Sequence, residues 1–245
     1  MAIAAVFSLF APLPYVVIKP GPTQNVLTAA IALSNLKSYS HPGELFSTSV
    51  LVSNPESAMY GPELIMDWFA GDSVILPRVV LYPKQETTAA AKRIGAKEMA
   101  DSQSSATTAV LHYLAQTNPK LVQNVSPSQI TIALKETGGP SAGLVFALGL
   151  IAKLAPTDFI RDRKIAGTGT IDNAGKVGPI GGVDQKLIGA RRAGAQIFLL
   201  PIANCSDMTR QPKGLTVIPV RDLTQAITVL LADGAQAPPI CPNRI

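Results

Sequence analysis

The chain has 245 residues, of which 47% are hydrophobic and 15% charged, with a formal net charge of +5. This length accommodates one sizeable domain or a catalytic domain with a smaller companion, and the apolar content excludes wholesale disorder. Basic residues are scattered and aromatic residues make up only 5%, so we expect no nucleic-acid partner. The histidines, His41 and His112, and the cysteines, Cys205 and Cys241, lack zinc-site spacing. We therefore expect neither a metal nor a cofactor.

The amino end is apolar: residues 1–18 contain no charged side chain, and Lys19 is the first. A spanning helix needs about 20 apolar residues, whereas Pro12 and Pro14 limit the unbroken stretch to the first eleven residues. Three interpretations are open: the end of an anchor whose first residues precede this start, a short uncleaved anchor, or a buried strand. Our prediction for residues 1–18 is a truncated membrane anchor.

Residues 19–120 are predicted to form an amino-terminal β/α region. The segment KPGPTQNV (19–26) favours a turn-rich connection, and His41 falls in a turn. Residue patterns then predict a strand at 43–53, a short helix at 62–71, an edge strand or two pieces at 73–83 and one or two long helices over 86–115. His112 lies on the last of these helices, where we expect a partly buried, hydrogen-bonded structural histidine.

The polar segment 116–129 is the best internal boundary, so a second domain is predicted at 121–238, followed by a tail at 239–245. Patterns there predict strands at 129–136, 164–172, 195–202 and 215–220, and helices at 141–155, 184–194 and 223–234. This alternation indicates an α/β or α+β fold.

The motif GGPSAG (138–143) places Ser141 at the start of a strongly apolar helix. Unpaired N–H groups and the helix dipole favour negative charge there, and would stabilise the oxyanion of an acyl-transfer reaction. The neighbouring Gly139, Pro140 and Gly143 let a substrate backbone approach closely. By itself, however, the motif is more simply interpreted as a helix cap at Ser141.

A serine nucleophile needs a base, and neither histidine falls in the glycine-rich region. Lysine is the other known base, but its ordinary pKa lies near 10.4 and must be lowered by burial. Lys186 lies among apolar and glycine residues in GPIGGVDQKLIGA, whereas Lys153 and Lys164 fit a polar face or a loop. Without the serine motif, Lys186 would be interpreted as an ordinary surface lysine.

Together, the two motifs resemble the Lon proteolytic domain. The resemblance runs from about Gln129 to about Leu231 and includes GTGTID (167–172), ARRAGA (190–195) and FLLP (198–201). It implies an α+β fold of mixed small sheets with packed helices, with Ser141 as nucleophile, Lys186 as base and Thr168 holding the lysine amine. In one departure, Gly138 stands where many Lon enzymes have an acidic residue.

A narrower resemblance, carried by PLPYVVIKPGPTQNVL and AKEMADSQSSATTAVLHYL, is to bacterial membrane-anchored, PDZ-containing Lon-like peptidases. It implies a single-pass membrane protein with an extracytoplasmic catalytic domain. It also supports a disulfide between Cys205 and Cys241, which the residues alone leave open against two free thiols. Only about 15 residues separate AVLHYL from the catalytic strand, too few for a folded PDZ domain.

The sequence also lacks the phosphate-binding loop of an ATPase. We therefore predict an ATP-independent serine endopeptidase that cleaves flexible polypeptide segments, and the resemblance adds an expected homo-oligomer. One alternative is a catalytically inactive peptide-binding or scaffold protein with this fold. The other is a peptidase component that relies on a separate ATPase.

Overall fold

The computed structural model describes residues 11–82, 87–134, 138–232 and 240–241. The strands in this part of the chain are β1 (Tyr15–Asn25), β2 (Ile31–Leu33), β3 (Glu44–Val52), β4 (Val74–Pro77), β5 (Ile130–Ile132), β6 (Lys164–Gly167), β7 (Thr170–Ile171), β8 (Val177–Gly178), β9 (Ile197–Pro201) and β10 (Thr216–Val220). The α-helices are α1 (Val26–Ala29), α2 (Gly61–Ala70), α3 (Arg78–Leu81), α4 (Thr88–Thr117), α5 (Gly143–Leu154), α6 (Val183–Arg192) and α7 (Leu223–Leu231). Short 3-10 helices cover Pro119–Leu121, Pro127–Gln129 and Ile202–Asp207.

A six-stranded sheet with the order β10-β9-β6-β3-β1-β4 forms the centre of the fold. The four strands from β10 to β3 are parallel, and β1 and β4 extend the sheet with antiparallel pairing. Apolar side chains such as Ile165 and Phe198 are fully buried on these strands, as expected when helices cover a parallel sheet. Strands of the two predicted domain segments, 19–120 and 121–238, thus share one sheet, although the division itself stays a prediction.

Helix α5 forms the middle of the core. All its residues except Lys153 are buried, as expected for a helix that is apolar on every face. Gly149 allows close packing, since a Cβ at this position would lie 2.7 Å from Cδ1 of Ile31. The long helix α4 covers α5 with buried side chains that include Ala106 and Val110. The start of α5, two residues after Ser141, is therefore fixed by the core.

Most predicted elements are confirmed, as is the α+β class, but the turn-rich connection at 19–26 is wrong. This segment continues β1 to Asn25, with an irregular register between Pro20 and Thr23. Because β4 pairs only with the Tyr15–Ile18 part of β1, the part that contains Pro20 and Pro22 has a neighbouring strand on one side only, β3. Such an edge position tolerates prolines, which have no N–H group to donate.

The predicted anchor falls partly outside the described residues, which begin at residue 11. Its last residues, 15–18, start β1, where Val16 and Val17 are buried. For these residues the buried-strand interpretation holds. Within the described ranges, no helix combines the length and apolarity needed to cross a membrane.

The predicted disulfide is present. Cys205 and Cys241 are bonded, with their Cα atoms 5.4 Å apart. The bond joins Cys241 to the 3-10 helix Ile202–Asp207, which directly follows β9.

Candidate active site

Ser141 lies two residues before α5, and two donors hold its backbone carbonyl. The hydroxyl of Thr168 donates to this oxygen at 3.0 Å, and the N–H of Gly169 donates to it at 2.7 Å. The carbonyl of Gly169 in turn accepts from the N–H of Leu144 in α5 at 3.0 Å. The turn that follows β6 is thereby fixed to the loop that carries Ser141.

Helix α4 holds the other side of this loop. The carbonyl of Gly95 accepts a hydrogen bond from the N–H of Gly139 at 2.9 Å, and the hydroxyl of Ser102 donates to the carbonyl of Pro140 at 3.0 Å. Gly139 has a φ of 86°, in the left-handed region that favours glycine. The loop is therefore clamped between α4 and the turn after β6.

The departure at Gly138 has a structural reason. A Cβ at this position would lie 3.3 Å from the backbone of Gly95, so a side chain there would press against α4. A carboxylate nevertheless lies nearby, because Oε2 of Glu98 on α4 is 4.0 Å from the place that a Cβ on Gly139 would take.

Lys186 projects from α6, which begins after Gly182 in a left-handed conformation with a φ of 69°. The side chain is almost fully enclosed, with 2% of the residue exposed. Its Nζ donates to the hydroxyl oxygen of Thr168 at 3.1 Å. Burial lowers the pKa of the Lys186 amine to about 7, so a large fraction of the molecules carries a neutral amine at neutral pH.

The hydroxyl of Thr168 thus bridges Lys186 and Ser141. Its single proton is donated to the carbonyl of Ser141, so it accepts from Lys186 and leaves the lone pair of a neutral amine free. The Ser141 hydroxyl has no hydrogen-bond partner among the described residues, nor do the N–H groups of Ser141 and Ala142. Catalytic hydrogen bonds are often loose until substrate binds.

The two histidines lie outside this arrangement. His41 is enclosed beside α5, where its Nε2 lies 2.7 Å from the carbonyl oxygen of Ala152 and its Nδ1 lies 2.9 Å from Asp158. His112 is exposed on α4 and not partly buried as expected, although it is hydrogen-bonded, with its Nε2 2.9 Å from Nε2 of Gln116. Within the described ranges, no group of three or more His, Cys, Asp or Glu residues is placed to hold a metal ion.

The sequence patterns missed Asn204, which is buried beside the disulfide. Its Nδ2 donates to the carbonyl of Ile180 at 2.8 Å, and its Oδ1 accepts from the N–H of Ile180 at 3.0 Å. This paired contact holds the GPIGG segment immediately before α6. The local sequence shows only a polar residue between an apolar strand and a turn, which does not identify Ile180 as its partner.

Part of the chain is similar to a known protein family. Residues 89–233 match the family described as Lon protease (S16) C-terminal proteolytic domain. The match begins within α4, ahead of the domain start predicted at residue 121. It therefore includes Gly95 and Ser102.

Individual relatives match a shorter stretch. Lon protease of Chloroflexus aggregans is 37% identical over 97 residues, which cover 38% of this chain and 12% of that protein. Lon protease of Roseiflexus castenholzii is 47% identical over 75 residues, or 31% of this chain and 9% of that protein. Lon protease 2 of Thermus thermophilus is 40% identical over 103 residues, which cover 40% of this chain and 13% of that protein. The chain thus spans only about a tenth of the length of these curated relatives.

Replacing Ser102 by alanine should slow the reaction of Ser141 with a fluorophosphonate reagent about tenfold, because the carbonyl of Pro140 loses its buried donor and the loop loosens. Ser104→Ala, at an exposed position on the same helix, is the matched control and should react at the wild-type rate. Equal rates for both variants would show that Ser102 does not position the loop.

Lys186→Met should stabilise the fold, most strongly at low pH. Below pH 7 the folded protein encloses a charged amine, whereas between pH 7 and 10.5 it loses the proton that the unfolded chain keeps. The wild-type free energy of unfolding therefore rises with pH over this window. The advantage of Lys186→Met should shrink by about 2–3 kcal/mol between pH 6 and pH 9.

Urea unfolding at both pH values measures this effect, with Lys92→Met at an exposed position of α4 as control. An advantage of Lys186→Met that is the same at pH 6 and pH 9 would contradict a lowered amine pKa.

Proposed function

The chain belongs to the family of Lon protease (S16) C-terminal proteolytic domains, and from this premise we propose that it is an endopeptidase with Ser141 as nucleophile and Lys186 as general base. One observation carries this assignment of roles. The enclosed amine of Lys186, with a pKa of about 7, is hydrogen-bonded to the same Thr168 hydroxyl that holds the backbone of Ser141.

The proposed reaction starts from neutral Lys186. The amine takes the proton of the Ser141 hydroxyl while Oγ attacks the carbonyl carbon of a peptide bond. The N–H groups of Ser141 and Ala142, at the positive end of α5, stabilise the oxyanion. The ammonium of Lys186 then protonates the leaving amine, and the neutral lysine activates the water that releases the acyl group from Ser141.

Thr168 has a positioning role in this reaction. Because its hydroxyl accepts a hydrogen bond from Lys186, it fixes the direction of the amine without using the lone pair. Thr168 and Gly169 hold the backbone carbonyl of Ser141 in place. The Ser141 hydroxyl can therefore move only by rotation about the Cα–Cβ bond. Such preorganisation lowers the barrier to attack.

We further propose that the enzyme works without ATP, outside the cytoplasm and attached to a membrane. The sequence has no phosphate-binding loop, so flexible polypeptide segments are the expected substrates. The disulfide between Cys205 and Cys241 fits an oxidising compartment. The uncharged residues 1–11 supply the attachment.

Two features of the structure bear on the alternatives, which are a component of an ATP-dependent peptidase and an inactive scaffold. A component of a cytosolic ATP-dependent peptidase would be expected to have free thiols, whereas Cys205 and Cys241 are joined. An inactive scaffold with the same fold is favoured by the Ser141 hydroxyl, which makes no hydrogen bond to Lys186 within the described part of the chain. Measurements of activity distinguish this scaffold from an enzyme.

Ser141→Ala and Lys186→Ala should each abolish cleavage of unstructured casein, since one removes the nucleophile and the other its base. Lys153→Ala is the matched control, because Lys153 lies on the neighbouring helix α5 outside the site. It should cleave at the wild-type rate. Wild-type cleavage by either Ser141→Ala or Lys186→Ala would refute the proposed roles, and an inactive wild-type chain would favour the scaffold.

A further inference from the structure

Helix α2 exposes large apolar side chains to solvent. Leu64 is its only buried residue, whereas Phe69 is 76% exposed, Met66 73% and Trp68 67%. With Ile65 on the same helix and Val79 and Val80 on α3, which are also exposed, they form what we call the apolar face. Where several large apolar side chains are exposed together, they usually mark a contact with a partner or a membrane.

The chain enters the fold beside this apolar face. The N–H of Leu13 donates to the carbonyl of Met59, just before α2, at 2.8 Å. The carbonyl of Pro14 accepts from the N–H of Arg78, at the start of α3, also at 2.8 Å. The uncharged residues 1–11 thus lead directly to the elements that carry the apolar face.

The charges of α2 are already paired or engaged. Asp67 forms an ion pair with Lys19 at 2.6 Å, and the carboxylate of Glu63 accepts from the N–H of Tyr60 at 3.3 Å. The remaining exposed side chains of the helix combine two aromatic rings with aliphatic groups. Tryptophan and phenylalanine beside aliphatic residues are typical of helices that lie in the interface of a bilayer.

We propose that the apolar face inserts into the surface of a lipid bilayer, alongside residues 1–11. A bilayer accommodates both the uncharged segment and the exposed side chains of α2 and α3. The inference rests on the membrane attachment in the proposed function. It adds a second contact made by the folded domain itself.

This contact would also set the orientation of the active site. Asp72, in the turn after α2, forms an ion pair with Arg192 at 2.7 Å, and its carbonyl accepts from Gln185 at 3.5 Å. Both partners lie on α6, the helix that carries Lys186. Docking of the apolar face would therefore fix the orientation of α6, and with it Lys186, relative to the membrane. Polypeptide segments close to the lipid surface would then be the favoured substrates.

The single tryptophan of the sequence, Trp68, reports on this contact directly. The full chain is mixed with vesicles of phosphatidylcholine and phosphatidylglycerol. The emission of Trp68 should shift to shorter wavelength, and lipids with brominated acyl chains should quench about half of it, because the ring enters the interface. Emission that vesicles neither shift nor quench would overturn the proposal.

The double variant Met66→Ser, Phe69→Ser keeps the probe and weakens the contact, so most of the quenching should be lost. Leu231→Ser removes a side chain of comparable size that is 39% exposed, on a helix packed against β10 at the opposite edge of the sheet. This control should be quenched like the wild type. Equal rates of fluorophosphonate labelling at Ser141 verify that both variants are folded.

The remaining outcomes separate the two proposals. Sedimentation with vesicles without quenching of Trp68 would mean that another segment attaches the chain, which overturns docking and leaves the proposed function intact. A shift that grows with protein concentration in the absence of lipid would assign the apolar face to a second copy of the chain. A shift caused by casein alone would assign it to substrate. Either result would overturn docking to lipid.

Discussion

A lysine amine enclosed by the protein is the constraint on which the active site depends. Taking a charged ammonium out of water is costly, so the fold has to stabilise it in the neutral form or lose stability. Here the pKa falls to about 7 through burial alone. In the proposed mechanism, the apolar core around α5 and α6 therefore contributes to catalysis, since it creates the base that Ser141 needs.

The same core also fixes the nucleophile. Helix α5 is buried almost throughout, and its first turn is tied to Gly169, while Ser102 and Gly95 hold the preceding loop from α4. Thr168 links the loop that carries Ser141 to the helix that carries Lys186, because its hydroxyl contacts both residues. The packing of α5 and the hydrogen bonds around Ser141 therefore hold the same site in place.

Much of this site could be predicted from local sequence. Ser141 is indicated by the glycines before an apolar helix, and Lys186 by its apolar and glycine neighbours. Ser102 and Asn204 could not be predicted in this way, because their hydrogen bonds join segments 38 and 24 residues apart. Such contacts depend on how α4 packs on α5 and how the turn after β9 meets α6, which residue patterns do not encode.

The errors have similar causes. The prolines of 19–26 indicate a turn, yet they fit a strand because β4 pairs only with its first part. His112 lies on α4, which is buried on one face only. The alanine-rich sequence of α4 separates apolar from polar residues poorly, so it does not show which face is buried. In both cases the tertiary neighbours decide, and local propensity gives no information about them.

The most direct test of the central claim is a titration of the Lys186 amine itself. Nuclear magnetic resonance of protein labelled with ¹⁵N at the lysine side chains follows each amine with pH, and Lys186→Arg identifies the signal by its disappearance. The structure predicts a midpoint near pH 7. A midpoint above pH 10, the value of an ordinary lysine, would contradict the account.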